Sequence, residues 1–104
     1  MEIVTQVFKD LTVGFWDELI LRGKVKLNGK YVNYDIFKTV RDGDTLRKYI
    51  YLQSETGIVE EAQLLSNNGD VLAIKPFSIK KQDDGLLLAF EFTLVVQTDL
   101  KDEK

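Results

Sequence analysis

The sequence predicts an all-β fold: a single small β-sandwich or partly open barrel of about seven mostly antiparallel, meander-connected strands. Three observations carry that prediction. Turn-forming clusters recur about every 13 residues, at Asn28-Gly29, Asp42-Gly43-Asp44, Glu55-Thr56-Gly57, Asn67-Asn68-Gly69-Asp70 and Asp83-Asp84-Gly85. Five of the seven glycines fall inside those clusters, where a positive φ costs glycine nothing. Between them run β-branched and aromatic residues that alternate with polar ones, the period of a strand rather than of a helix.

The elements follow in order. Residues 3–8 read as a first strand, with a turn at 10–12. Gly14-Phe15-Trp16-Asp17 then holds the only tryptophan. Its rings are expected to cap one open end of the core, and the other reading of Phe15 and Trp16 is a pair of interface anchors. Asn28-Gly29 reads as the two-residue loop of a type I′ hairpin. That loop sets Val25 opposite Val32, Gly23 opposite Tyr34 and Leu21 opposite Ile36 on the core face. Arg22 then meets Asp35, Lys24 meets Asn33 and Lys26 meets Tyr31 on the other. The apolar and polar sets separate cleanly, and a one-residue slip would mix them.

Residues 46–52 form a strand with Leu46, Lys48, Ile50 and Leu52 on one side. Residues 59–65 favour helix by propensity, but their length and the turn that follows suit a strand returning into 71–74, and strand is the reading adopted. Asp84-Gly85 as a second two-residue loop would pair Ile79 with Phe90 and Phe77 with Phe92. The final strand keeps Leu86, Leu88, Phe90, Phe92, Leu94 and Val96 on one face. Pro76, the only proline, lacks a ladder donor and marks a strand end or bulge. No linker interrupts the chain, so residues 1–98 are one domain and 99–104 a frayed charged tail.

Composition excludes much chemistry. The 104 residues contain no cysteine and no histidine. Disulfides, thiolate zinc sites, imidazole-based triads and nearly all transition-metal ligation are therefore ruled out, and no metal or other cofactor is expected. Ser54, Ser66 and Ser78 have no histidine to activate them. Glu60-Glu61 and Asp83-Asp84 are adjacent pairs that would diverge in a strand instead of flanking a substrate bond. Asp42-Gly43-Asp44 and Asn67-Asn68-Gly69-Asp70 carry oxygen ligands beside glycine, yet lack the spacing of a calcium loop and read as turns. No apolar run approaches the roughly 20 residues of a membrane helix, and the N-terminus has no basic region before an apolar one, so a cytoplasmic protein with no membrane partner is expected.

The net charge of −3 hides an asymmetry. Residues 1–21 balance to −3, residues 22–48 to +5 and residues 49–104 to −5. Within the basic middle, Lys24, Lys26 and Tyr31 share the outer side of the hairpin, and Arg47, Tyr49 and Tyr51 share one side of a later strand. Taken as one basic, tyrosine-bearing sheet face, these six point to a non-enzymatic protein-binding or assembly module that docks an acidic partner or another copy of itself. The alternative is a single-stranded nucleic-acid reader on a small barrel, stacking bases on tyrosine while lysines follow phosphates. Eleven lysines against three arginines, with the small acidic β-rich make-up, add the expectation of an accessory protein from a low-GC bacterium or its prophage.

Overall fold

A computed structural model describes residues 5–96, so the expected tail at 99–104 lies outside the described residues. One helix, α1 (Gln6–Leu19), precedes seven strands: β1 (Arg22–Leu27), β2 (Lys30–Asp35), β3 (Lys38–Asp42), β4 (Thr45–Leu52), β5 (Gly57–Leu65), β6 (Val71–Lys81) and β7 (Leu86–Thr93). They form two antiparallel sheets, ordered β2-β1-β5-β6 and β3-β4-β7. The all-β class and the two-layer architecture are those the sequence predicts. Three of the five pairings join consecutive strands, while β1–β5 and β4–β7 do not.

The β1–β2 register is the one derived from Asn28-Gly29, from Arg22 opposite Asp35 to Lys26 opposite Tyr31. Both turn residues have positive φ, 53° and 79°, as a type I′ turn demands. The Asn28 amide also fastens the hairpin to the start of β5: its Nδ2 donates to Thr56 O and its Oδ1 accepts from Ile58 N. That clamp occupies the space a Cβ on Gly57 would need, and Gly57 itself sits at φ 134°.

The two sheets meet at their inner faces. A Cβ on Gly23 would come within 2.5 Å of Ile50 Cδ1, so the absent side chain in β1 is what lets the sheets approach. Leu46, Ile50 and Leu52 of β4, Val59 and Leu64 of β5, Val25 of β1 and Val13 of α1 are fully buried. Each contributes on the order of 2 kcal/mol.

Two expectations are corrected. Residues 3–8 are not a first strand: from Gln6 onward the chain is helical, and residues 3 and 4 lie outside the described residues. Thr5 caps the helix by accepting from Phe8 N at 3.2 Å, and Val13, Trp16 and Ile20 turn one side of it into the core. No turn exists at 10–12. Neither do Asp84 and Gly85 form a two-residue hairpin loop, because β6 pairs with β5 and β7 pairs with β4, leaving residues 82–85 as their connection. The segment crosses between sheets instead, and its carbonyls close around Lys81. That ammonium, 4% exposed, donates to Gln82 O and Asp84 O here and to Gln53 O and Glu55 O in the β4–β5 connection. A charge buried at the end of β6 is satisfied only if the chain wraps it, and a tight turn could not.

Candidate functional site

The six residues of the proposed basic face are divided between two surfaces. Lys24, Lys26 and Tyr31 lie on the outer side of the four-stranded sheet, with both ammonium groups within 6 Å of the Tyr31 ring centre, at 5.8 and 5.7 Å. Tyr31 Oη donates to Glu61 Oε2 at 3.1 Å, which raises the tyrosine's pKa. Arg47, Tyr49 and Tyr51 lie on the outer side of the three-stranded sheet. Arg47 pairs with Glu91 across β4 and β7 at 3.3 Å, and the Tyr51 ring packs against Phe37 with centroids 5.1 Å apart. The sheets present these sides in opposite directions, because their inner faces meet at Gly23 and Ile50. One continuous six-residue face is therefore not formed. Alternation placed each residue outward, but it could not tell which sheet each strand joins.

The acidic motifs serve local structure. A bulge between Val59 and Glu61 breaks the alternation, so Glu60 and Glu61 do not diverge. Both reach the β1–β2 hairpin, Glu60 through Gly29 N and Glu61 through Tyr31 Oη. Ser66 Oγ accepts from Asn68 N and Asp70 N, organising 67–70 as a turn. Gly43 at φ 61° closes the β3–β4 turn. Among the described residues, no three acids gather as a metal site. Lys48 is 3% exposed and is held by Asp17 Oδ1 at 2.5 Å and Asp17 O at 3.1 Å, an ion pair that pins the end of α1 to the inner face of β4.

A cleft of about 500 Å³ opens where β2 turns toward β3, lined by Tyr34, Phe37, Tyr51 and Glu55 among others. Tyr34 Oη donates to Glu55 Oε2 at 2.7 Å. Burial and that bond raise the Tyr34 pKa, while the bond from Tyr34 lowers that of Glu55. The bond joins a neutral donor to an ionised acceptor, while the buried Glu55 Oε1 has no hydrogen-bond partner among the described residues. Neither group is poised for acid–base work near neutrality.

An apolar surface without a partner among the described residues lies on α1. At 100° per residue, Val7, Phe8, Leu11, Phe15 and Leu19 fall within about 120° of the helix circumference. They face away from the core: Leu11 is 69% exposed, Val7 65%, Phe15 61% and Phe8 55%. The opposite side, with Val13, Trp16 and Ile20, packs inward. The Phe15–Trp16 pair is thus split, with Trp16 in the core and Phe15 in the open. Thr5 at the cap position and the 3-and-4 spacing of Val13, Trp16 and Ile20 are the sequence signals that would have revealed the helix. Compared with protein-family models, curated proteins and solved structures, the chain shows no match.

Proposed function

We propose that this protein is a non-enzymatic binding and assembly module whose docking element is the outward face of α1. The single observation that carries this reading is an apolar stripe of five large side chains on a helix already anchored through its other side. A helix held only for stability would turn its more apolar side inward. Here the Asp17–Lys48 ion pair and the bond from Arg41 to Asp10 O at 3.0 Å fix the rotation that leaves the stripe outside. An exposed, contiguous apolar patch of this size on a small domain is characteristic of an interaction surface.

Docking of an acidic partner through the tyrosine-bearing residues is supported less well, since they are divided between two faces. For the nucleic-acid alternative, the Tyr31 ring that would stack a base is already engaged by Lys24, Lys26 and Glu61. Site-specific photo-cross-linking in cells that naturally carry the chain tests the choice. A photoreactive residue at position 11 is expected to give a discrete protein adduct, lost when Phe15→Glu is added. Adducts formed only from positions 31 or 49 would move docking to the sheets, and no adduct from position 11 would refute the reading.

A further inference from the structure

We infer that the occupant of the α1 face is a second copy of this chain, joined by antiparallel pairing of the two helices across a two-fold axis through Leu11. The inference rests on the reading of that face as a docking element and names its partner. Its first support is the symmetry of the stripe. Phe8 precedes Leu11 by three residues and Phe15 follows it by four, so the face reads alike in both directions. An antiparallel mate sets Leu11 against its own copy and Phe8 against Phe15 twice, a self-complementary isologous contact. The 3-and-4 spacing is also the one that packs two helices at a shallow crossing angle.

Charge gives the second support. The helix has no acid in its first turn and no base in its last, so neither end of its dipole is compensated by its own side chains. Asp17 and Glu18 instead crowd the C-terminal end. Asp17 is neutralised by Lys48, whereas Glu18 is exposed and makes no ion pair among the described residues. In the antiparallel arrangement each Glu18 lies beside the first turn of the partner helix, where a carboxylate is favourable. The same charges oppose a lipid surface, because Glu18 falls within the stripe and Asp10 and Asp17 flank it, while the single Lys9 is turned inward toward Asp44, the reverse of a basic interfacial helix.

Area is the third. The five side chains expose on the order of 500 Å² per copy. Two copies would bury on the order of 1,000 Å², the lower bound for a specific interface.

Sedimentation of the intact 104-residue chain from about 1 to 500 μM spans the affinity expected of so small an interface. The mass should rise with concentration from 11.9 kDa to twice that value. Leu11→Glu should weaken association by at least about 100-fold, because it places two carboxylates on the axis, while leaving the circular dichroism unchanged. The lack of native cysteine supplies the geometric test. Leu11→Cys should oxidise to a disulfide-linked dimer, whereas Val7→Cys should not, since antiparallel helices hold the two copies of position 7 on the order of 12 Å apart. Self-disulfides at both positions would overturn the antiparallel pairing. A dimer that survives Leu11→Glu would overturn the assignment to α1. A chain that stays monomeric throughout, or that instead co-sediments with phosphatidylglycerol vesicles, would overturn the second copy as occupant. A position-11 adduct with a different protein would do the same while leaving the docking reading intact.

Discussion

Tyr34 and Glu55 illustrate how one hydrogen bond couples this fold to pH. The bond from Tyr34 lowers the Glu55 pKa below the ordinary value of 4.5, so its contribution to stability is present above that value and is lost as pH falls through the folded one. Burial, and then the same bond, raise Tyr34 above the ordinary 10.0, so its contribution is full below pH 10 and declines as pH rises beyond it. Urea midpoints measured across pH should therefore separate wild type from Tyr34→Phe most strongly between these limits and converge at both ends. A constant difference across the whole range would show that the pair does not titrate as described. Lys81 is the other residue-scale device. Three ammonium hydrogens serve four carbonyls from two connections, tying the β4–β5 and β6–β7 crossings together. Lys81→Met strands those carbonyls and should cost about 3 kcal/mol in urea unfolding. A loss under about 1 kcal/mol would mean that water replaces the ammonium readily.

At the scale of elements, most strands were legible, whereas β3 and the helix were not. The β1–β2 hairpin could be read residue by residue because Asn28-Gly29 fixes both its turn type and its register, and the apolar set then agrees with it. In β4 the period of two held through Leu46, Lys48, Ile50 and Leu52, all buried, even though one is a lysine. Helix α1 contains β-branched Val7, Thr12 and Val13 and a mid-helix Gly14, all weak helix formers, so propensity gave no warning. Its stability comes from the Thr5 cap and from packing of its inner side. That division is measurable under dilute conditions. Val13→Ala should cost about 2 kcal/mol, while Leu11→Ala should change stability by less than about 0.5 kcal/mol. Equal costs would mean that the stripe belongs to the core.

The whole molecule explains why the candidate site moved. Outward alternation of Lys24, Lys26, Tyr31, Arg47, Tyr49 and Tyr51 was read correctly strand by strand. The chain nevertheless passes from one sheet to the other between β2 and β3, between β4 and β5, and again between β6 and β7. Each passage reverses which side of the sandwich an outward residue reaches. The last passage also separates Ile79 from Phe90 and Phe77 from Phe92, which a local hairpin would have joined.

By itself the sequence determined the all-β class, the Asn28-Gly29 turn, the first hairpin's register and the absence of thiol and imidazole chemistry. All of these depend on residue identity and on neighbours a few positions apart. Only the tertiary structure decided sheet membership, the burial of Lys48 and Lys81, and the rotation of α1 that leaves Phe8, Leu11 and Phe15 in the open. Those outcomes rest on contacts between distant segments, Asp17 with Lys48 and Lys81 with the remote carbonyls of Gln53 and Glu55. A buried charge selects whichever fold satisfies it, and no local pattern records where its partner will come from.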